Sequence, residues 1–254
     1  MKTEKRIICL EPFGPAKTGM QKMHLEPEEF QSKIPVQHIH VYYEDETLGL
    51  SVGVWDTTSM QEVFGPYPGN EFMWVLEGQV SMIDGDDNAT VIKKGQTFCV
   101  RNAIPVSWKQ EGFLRKFYMT YADPKAAMPE ITSAEGGIVI LDAAKKMGKL
   151  DSTEPLVVNG EIPLQHEHIF FTNDAKNMLA GMWDSGALDS EMRPFPWYEF
   201  VQMLEGAVTI TEEDGTPHIF KAGDAFFVPK GTVCSWKIDR YVKKFYAILD
   251  LSSD

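Results

Sequence analysis

The sequence predicts an all-β protein built from two tandem β-barrels or sandwiches that arose by internal duplication. The first observation is a repeat at an offset of 128 positions, in which 27 of the 85 positions from Ile34 to Tyr118 are identical to their counterparts. The second is the scarcity of helical periodicity, because short runs of β-branched and aromatic residues alternate with turns rich in Gly, Pro, Asp and Asn. Strands at this spacing are typical of antiparallel sandwiches and small barrels.

The repeat divides the 254 residues into two predicted domains, residues 1–127 and 128–254, each long enough to bury a core. The most similar segments of the two copies are Ile34–His40 with Ile162–His168, Gly53–Asp56 with Gly181–Asp184, Leu76–Gly78 with Leu204–Gly206, and Lys116–Tyr118 with Lys244–Tyr246. Two copies imply two similar folds and two candidate sites, so differences between the copies indicate which site is used.

Individual strands can be placed from local composition. In the first copy the predicted strands are Glu71–Leu76, Val80–Ile83, Thr90–Ile92, Thr97–Val100, Ser107–Lys109 and Lys116–Thr120. Ile7–Glu11 and Ile138–Asp142 each predict a further strand that precedes its copy, and Tyr121–Gly137 is the predicted linker. The best helical candidate is Asp142–Gly148, a turn or two that ends at a glycine.

Charge and cysteine content indicate the compartment and exclude some partners. The chain has 24 basic and 37 acidic residues, a formal charge of −13, which repels nucleic acid and anionic membrane surfaces. The apolar run Ile7–Leu10 is too short for a signal sequence, and no apolar stretch approaches membrane-spanning length. Three widely spaced cysteines favour reduced thiols in a cytoplasmic protein.

Each copy contains a spaced Pro-x-Pro-x-x-Glu-x6-Gly motif. It runs from Pro66 through Glu71 to Gly78 in the first copy and from Pro194 through Glu199 to Gly206 in the second. In the second copy Gly223-Asp224 and Pro229-Lys230-Gly231 follow. Together these segments resemble the two motifs of the cupin superfamily. The chain therefore resembles a bicupin, which implies two tandem double-stranded β-helix, or jelly-roll, barrels.

The resemblance covers nearly the whole chain and is nearest to the subfamily named for the (S)-ureidoglycine aminohydrolase cupin domain. The segments that carry it are Ala180–Trp183, Leu204–Val208, Cys234–Trp236 and Lys243–Tyr246. It is strong evidence for the fold and weak evidence for the reaction, because one fold hosts many functions.

Metal-binding cupins present His-x-His, a Glu and a distant His to one divalent ion. Glu71 and Glu199 match the glutamate of that set. The histidine positions are occupied in the two copies by Gly65, Tyr67, Val106, Arg193, Phe195 and Cys234. One carboxylate and one thiol make a poor ligand set for a metal, so no metal is predicted at the usual cupin position. No cofactor is firmly predicted, and aminohydrolase activity is not expected.

The lumen of each predicted barrel contains a glutamate and a tryptophan. Side chains alternate across a strand, so Trp108 shares a face with Val106, and Trp236 shares one with Cys234. A carboxylate in such an apolar lumen must be paired or protonated. Its candidate partners are Arg193, Gln202, Lys116 and Lys244. The predicted ligand-binding residues are Glu199, Trp236, Cys234, Arg193 and Lys244 in the second copy, and Glu71, Trp108 and Lys116 in the first. Alternatively, the glutamates only tie the strands together.

A doubled Gln-His-x-His segment offers a different metal site. His38 and His40 lie two apart on a predicted strand, as do His166 and His168, so each pair shares a face. These four histidines are the candidate metal ligands outside the usual position, completed by Glu167, by Glu199 or by the other copy. The alternative is hydrogen bonding to neighbouring strands. Trp55 and Trp183 are expected to fill the cores or the contact between the barrels.

Three functional hypotheses follow. The first is a cytoplasmic bicupin that binds a small polar metabolite in a Glu/Trp-lined lumen, with catalysis unproven. The second is a metal-dependent hydrolase or isomerase of small nitrogenous or sugar-like molecules. The third is a structural protein with sealed lumens. The second copy keeps more of the cupin pattern and is favoured as the working site. Trp74, on an outer sheet face, is the expected mark of a homodimer contact.

Overall fold

The structure is a computed structural model that describes residues 5–17 and 19–251. Across these residues the regular structure is β-strand, with two short 3-10 turns at Pro15–Lys17 and Pro27–Glu29 and no α-helix. The predicted all-β class is confirmed. The chain forms two compact units, one of Leu10–Leu141 and one of Met1–Cys9 with Asp142–Asp254. We call them the N-terminal and C-terminal units.

The N-terminal unit consists of two antiparallel sheets. Its strands, which follow β1 (Ile8–Leu10), are β2 (Gln21–Lys22), β3 (Gln37–Asp45), β4 (Leu50–Thr57), β5 (Met60–Gln61), β6 (Gly65–Pro66), β7 (Asn70–Glu77), β8 (Gln79–Ile83), β9 (Ala89–Lys93), β10 (Thr97–Val100), β11 (Pro105–Gln110), β12 (Leu114–Tyr121) and β13 (Ile138–Leu141). The larger sheet has the order β13-β10-β7-β12-β4-β3-β2 and the smaller one β5-β11-β8-β9, with β6 beside β11. The core between them includes Met73, Val75, Val80 and Phe98.

The C-terminal unit repeats this plan with fewer, longer strands. They are β14 (Gly148–Leu150), β15 (Gln165–Thr172), β16 (Met178–Asp189), β17 (Arg193–Pro194), β18 (Tyr198–Glu212), β19 (Pro217–Lys221), β20 (Ala225–Val228) and β21 (Val233–Leu249). The sheet order is β1-β20-β18-β21-β16-β15-β14, with β17 beside β21 and β19 beside β18. In the part of the chain that the structure describes, the hydrogen-bonded sheets stay open at their edges. Val201, Met203, Val208 and Phe226 lie in the core.

The six strands predicted in the first copy lie within observed strands. The two leading strands, predicted as Ile7–Glu11 and Ile138–Asp142, are observed as the slightly shorter β1 and β13. Each leading strand pairs within the sheet of the copy that it does not precede in the sequence, since β1 pairs with β20 and β13 pairs with β10. The predicted division at residue 127 follows the repeat in the sequence. The compact units instead group Met1–Cys9 with the second copy and residues 128–141 with the first. Among the described residues, no helix has the length and apolar character needed to span a bilayer.

The predicted helix at Asp142–Gly148 is wrong, because this segment forms a turn. The Asp142 carboxylate accepts a hydrogen bond from the backbone N–H of Ala144 at 2.9 Å, and its carbonyl accepts one from Lys145 at 3.0 Å. Aspartate competes with helix formation through local bonds of this kind, and so short a segment does not stabilise a helix without a buried apolar face.

Candidate ligand-binding cavities

The C-terminal unit contains a cavity of about 200 Å³. We call it the C cavity. Its walls are largely apolar and aromatic, and five of its lining residues carry a charge. The aromatic lining residues are Trp183, Phe195, Trp197, Trp236 and Tyr246, and the charged ones are Glu154, Glu167, Glu199, Lys244 and Asp250. A cavity of this volume beside Glu199 argues against the hypothesis of sealed lumens.

A buried ion pair lies at the wall of the C cavity. Lys244 on β21 donates from Nζ to Oε1 of Glu199 on β18 at 2.5 Å, and both side chains are buried. The ammonium also lies 4.8 Å from the ring centre of Trp236 and 5.0 Å from that of Trp183. The carboxylate and the ring faces together compensate for the hydration that the Lys244 ammonium loses on burial.

Two further polar contacts orient the rings around this pair. The Trp183 indole N–H donates to Oε1 of Gln165 at 3.1 Å. Tyr246 donates its hydroxyl proton to Oε1 of Glu167 at 2.5 Å. Burial, and then the charge of Glu167, raise the pKa of Tyr246, so the phenol stays protonated and remains a donor.

The N-terminal unit has the equivalent cavity, of about 400 Å³, which we call the N cavity. Here Lys116 on β12 donates to Oε1 of Glu71 on β7 at 2.7 Å. Its ammonium lies 4.7 Å from the centre of Trp108 and 5.1 Å from that of Trp55. The duplication has therefore preserved a lysine–glutamate pair between two tryptophans in both units.

The two cavities differ in whether their polar atoms are satisfied internally. In the N cavity the second oxygen of Glu71 accepts a hydrogen bond from the Tyr67 hydroxyl. The Trp108 indole N–H donates to Oε1 of Gln110 at 2.6 Å. Phe195 and Ile238 stand at the positions equivalent to Tyr67 and Gln110 in the second copy, so the C cavity lacks both partners.

Two polar atoms of residues that line the C cavity therefore have no hydrogen-bond partner among the described residues. Among the described residues the Trp236 indole nitrogen is buried without a hydrogen-bond partner of ordinary geometry, on a side chain that is only 2% exposed. Burial raises the pKa of the Cys234 thiol to about 11, and the nearby Trp236 ring partly opposes that rise. Sulfur is a weak acceptor and does not satisfy the N–H. Within the described residues, Glu199 is hydrogen-bonded by Lys244 alone, through Oε1.

Glu62 is a second carboxylate of the N cavity that the sequence did not indicate. It is half-buried and lines the cavity together with Lys116 and Glu71. Burial raises its pKa to about 7, an effect that Lys116 opposes and Glu71 and Glu29 reinforce. Its counterpart in the second copy is Ser190, so this ionisation is specific to the N cavity.

We expect Glu62→Gln to remove a pH dependence of stability from the N-terminal unit. The pKa of Glu62 in the folded chain, about 7, is higher than its ordinary value of 4.5. The contribution of Glu62 to stability is therefore fully present below pH about 4.5 and is lost as the pH rises through about 7. At pH about 8 the variant should therefore be more stable than the parent by on the order of 1 kcal/mol. Urea unfolding at pH about 5 and about 8 measures the difference. Glu111→Gln, at an exposed position that does not line the N cavity, is the control. An equal pH slope in Glu62→Gln and the parent would contradict the assignment.

The structure brings most of the predicted ligand-binding residues together, in two sets. Glu199, Trp236 and Lys244 line the C cavity. Glu71, Trp108 and Lys116 line the N cavity. Cys234 is buried in the adjoining core of the C-terminal unit.

Two of the candidate partners of Glu199 lie elsewhere. The Arg193 side chain is exposed and forms an ion pair with Glu191 at 2.7 Å, because the acidic residue two positions away is a nearer partner than the lumen. Gln202 is buried on the face opposite Val201 and Met203, which pack in the core. Lys244 is thus the partner that the strand register selects.

The His-x-His pairs lie on the sheet face opposite the cavity. On β15, Gln165 and Glu167 line the C cavity, so the alternating His166 and His168 face away from it. His166 Nδ1 lies 2.8 Å from a carboxylate oxygen of Asp184, and His38 Nδ1 lies 2.9 Å from the equivalent Asp56. One histidine of each pair is thus engaged in the cross-strand hydrogen bonding that was the alternative to a metal site. The other two, His40 and His168, make edge-on ring contacts with Tyr42 and Phe170.

We expect the double substitution His166→Ala/His168→Ala to leave ligand affinity of the C cavity unchanged. It should lower the free energy of unfolding by about 1 kcal/mol, since the hydrogen bond to Asp184 is lost. The equivalent change His38→Ala/His40→Ala is the matched control in the other unit. Metal analysis of untagged protein completes the test. A tightly held transition metal that disappears with His166 and His168 would show that these histidines are ligands.

The residues at the family's metal positions do not fit a metal in the C cavity. Phe195 supplies no donor atom there, and burial keeps the Cys234 thiol protonated through its raised pKa. The remaining carboxylate, Glu199, is already paired with the Lys244 ammonium. Across the described residues no three His, Cys, Asp or Glu side chains are grouped as metal ligands would be.

Several residues that line the cavities are not predicted from the sequence, although the repeat contains signals for them. Trp55 and Trp183 were expected in the cores, yet each also lines a cavity. Tyr118 and Tyr246 belong to the duplicated Lys-Phe-Tyr segment, where the tyrosine follows the lysine by two positions and so shares its face. Glu167 was considered only as a metal ligand.

The chain has the fold of cupin proteins, and part of it matches a cupin family model. Residues 173–246 match the family model described as the EutQ-like cupin domain. Among solved structures, a protein of unknown function of the DUF861 family from Pseudomonas syringae pv. tomato superposes with a TM-score of 0.76, at 21% identity, over 96% of this chain and 100% of that one. A cupin 2 conserved barrel domain protein from Leptotrichia buccalis gives a TM-score of 0.55, at 11% identity, over 87% and 91% of the two chains. These likenesses show the fold.

Curated relatives match part of the chain. The protein named acetate kinase EutQ of Salmonella typhimurium is 33% identical over 127 residues, which is 46% of this chain and 49% of the relative. The protein of the same name from Escherichia coli is 31% identical over 121 residues, covering 45% and 46%. The chain thus spans about half the length of the curated relatives that it matches.

Proposed function

We propose that this protein is a cytoplasmic bicupin that binds a small polar metabolite in the C cavity, and that the N cavity serves as its structural counterpart. The observation that carries the proposal is the difference in internal satisfaction. The Trp236 indole N–H and the second oxygen of Glu199 have no protein partner, whereas Gln110 and Tyr67 satisfy the equivalent atoms of the first copy.

A bound molecule would remove a cost that the folded protein otherwise carries. A buried donor without a partner costs about 1–3 kcal/mol, so a ligand that accepts from Trp236 and donates to Glu199 gains that free energy on binding. Mostly apolar walls with a few convergent polar groups are typical of small-molecule sites. The cavity volumes do not distinguish the two units, because the N cavity is the larger one.

The proposal does not extend the relatives' names to this chain. A cavity with four carboxylates and one ammonium is poorly suited to an anion such as acetate or a phosphate. For the finer resemblance, to the (S)-ureidoglycine aminohydrolase type, we propose shared ancestry of the fold rather than a shared reaction, because Phe195 and Cys234 stand at its metal-ligand positions. The cytoplasmic assignment rests on Cys9, Cys99 and Cys234, which form no disulfide among the described residues.

The test transplants the internal partners of the N cavity into the C cavity. A metabolite library is screened by thermal shift against the parent and against Phe195→Tyr/Ile238→Gln, which supplies a hydroxyl to Glu199 and an amide to Trp236. Hits on the parent should lose most of their stabilising effect on this variant, while its ligand-free stability is preserved or increased.

The reciprocal variant Tyr67→Phe/Gln110→Ile is the matched control. It leaves the C cavity unchanged and should retain every hit. Hits that persist in the transplanted variant and vanish in the reciprocal one would place the site in the N cavity and overturn the proposal.

A further inference from the structure

The charges that line the C cavity are unbalanced. Four carboxylates, those of Glu154, Glu167, Glu199 and Asp250, face a single ammonium, that of Lys244. Lys244 lies 2.5 Å from Glu199 and is committed to that pair. The described lining therefore carries a formal charge of −3 from its own residues, and the whole chain, at −13, adds to the negative potential.

Glu167 is the carboxylate placed to contact a ligand. It is half-buried, it lies on β15, and its Oε1 is held by the Tyr246 hydroxyl at 2.5 Å. Within the described residues its Oε2 has no hydrogen-bond partner and no cation pairs with it. The equivalent residue of the first copy is Ile39, so this charge distinguishes the C cavity from the N cavity.

The aromatic walls act in the same direction as the carboxylates. The faces of indole and phenol rings carry partial negative charge and attract cations. This attraction is already visible within the cavity, where the rings of Trp183, Trp236 and Tyr246 surround the Lys244 ammonium at 4.8–5.7 Å. Phe195, Trp197 and the neighbouring aliphatic side chains leave an apolar surface for the rest of a ligand.

We propose that the C cavity selects a small organic cation, a protonated amine or quaternary ammonium on a compact apolar body, with its positive end at Glu167. This inference rests on the proposed function, since it names the ligand class of the same site. An anion would meet the excess of carboxylates, and a neutral molecule would leave Glu167 without a counter-charge. The N cavity, with Glu62 and Glu71 against Lys116, has a smaller excess and should discriminate less.

Three probes of similar shape and different charge test the inference. Benzylamine, benzyl alcohol and benzoate are titrated calorimetrically into the whole protein at low and high ionic strength. We expect benzylamine to bind about tenfold more tightly than benzyl alcohol, and benzoate most weakly. Salt should weaken the binding of benzylamine and leave that of benzyl alcohol nearly unchanged.

Glu167→Gln should remove the preference for benzylamine, while benzyl alcohol binds as before. Exposed Glu205→Gln, which does not line the cavity, is the control and should preserve the preference. Phe195→Tyr/Ile238→Gln locates the binding, because all lumen binding should weaken in it.

The outcomes separate this inference from the proposed function. Equal affinity for benzylamine and benzyl alcohol, with both weakened in Phe195→Tyr/Ile238→Gln, would keep the site and overturn the cation preference. Failure of benzylamine to bind at all would also overturn the cation preference, and the metabolite screen would still decide the site. Benzylamine binding that is unaffected by Phe195→Tyr/Ile238→Gln would place the cation outside the C cavity and contradict both.

Discussion

Lys244→Met is expected to lower the free energy of unfolding of the C-terminal unit by about 3–5 kcal/mol. Both members of the pair are buried, with Lys244 7% and Glu199 3% exposed. Removing the ammonium leaves the Glu199 carboxylate in a mostly apolar cavity without its counter-ion, and methionine fills the volume of the lysine stem without supplying charge. Urea unfolding followed by tryptophan fluorescence measures the loss.

The double variant Lys244→Met/Glu199→Gln separates two contributions to the lost stability. One is the loss of the ion pair, and the other is the cost of leaving a buried carboxylate without a counter-ion. It should recover most of the stability, because a neutral amide replaces the unpaired carboxylate. Lys237→Met is the surface control, since the Lys237–Asp239 pair is exposed and its atoms are 3.8 Å apart; it should change stability by about 1 kcal/mol or less. A loss equal in Lys244→Met and Lys237→Met would show that the buried pair has no special role.

Gly206→Ala is expected to cost more than about 3 kcal/mol, because two separate obstacles meet at this residue. Gly206 has a φ of +73°, which L side chains rarely adopt, and a Cβ there would lie 1.9 Å from the carbonyl oxygen of Tyr241. The overlap is with backbone of the neighbouring strand β21, so it cannot be relieved by a change of rotamer.

Gly215→Ala is the matched control for the backbone conformation alone. Gly215 has a φ of +85°, and a Cβ there would meet nothing within 4 Å. It should cost about 1–2 kcal/mol. Chemical denaturation of the two variants gives the comparison, and similar losses at the two positions would mean that the close approach of β18 and β21 at Gly206 is not rigid.

The strands and their duplication could be predicted because their signals are local. Turns are recognisable from single residues such as Gly85 and Gly215, and strands from short alternating runs of β-branched residues. The helix predicted from Asp142 is wrong because an aspartate that accepts a hydrogen bond from a nearby backbone N–H is found both at the start of a helix and in a turn. The pairing of β1 with β20 joins segments more than 200 residues apart, and that of β13 with β10 joins segments about 40 residues apart. Local composition encodes neither pairing.

The candidate site could be predicted in part. The glutamate and the tryptophan of each lumen followed from strand alternation once the motifs were placed. The choice of Lys244 over Arg193 as partner of Glu199 required the register of β18 against β21, and that register is set by tertiary packing. The lack of a partner for the Trp236 indole N–H could not be predicted from the sequence. It requires knowing that Gln110 accepts from the equivalent Trp108 and that Ile238 takes its place.

Under the proposed function, the divergence of the copies would leave one working cavity in a duplicated architecture. The pair of lysine and glutamate between tryptophans is common to both units and suits a structural role. Tyr67 and Gln110 complete that network in the N-terminal unit, whereas Phe195 and Ile238 leave it incomplete in the C-terminal unit. Glu167 adds a charge that the first copy lacks.

The indole N–H signals of the six tryptophans test the central claim most directly. In a proton–nitrogen spectrum of the ligand-free protein, assigned with single Trp→Phe variants, the Trp108 proton should resonate downfield as a hydrogen-bonded N–H and the Trp236 proton upfield as a free one. Addition of the tightest hit from the metabolite screen should move the Trp236 signal downfield and leave that of Trp108 in place. A ligand that shifts Trp108 while Trp236 is unchanged would contradict the assignment of the working site to the C cavity.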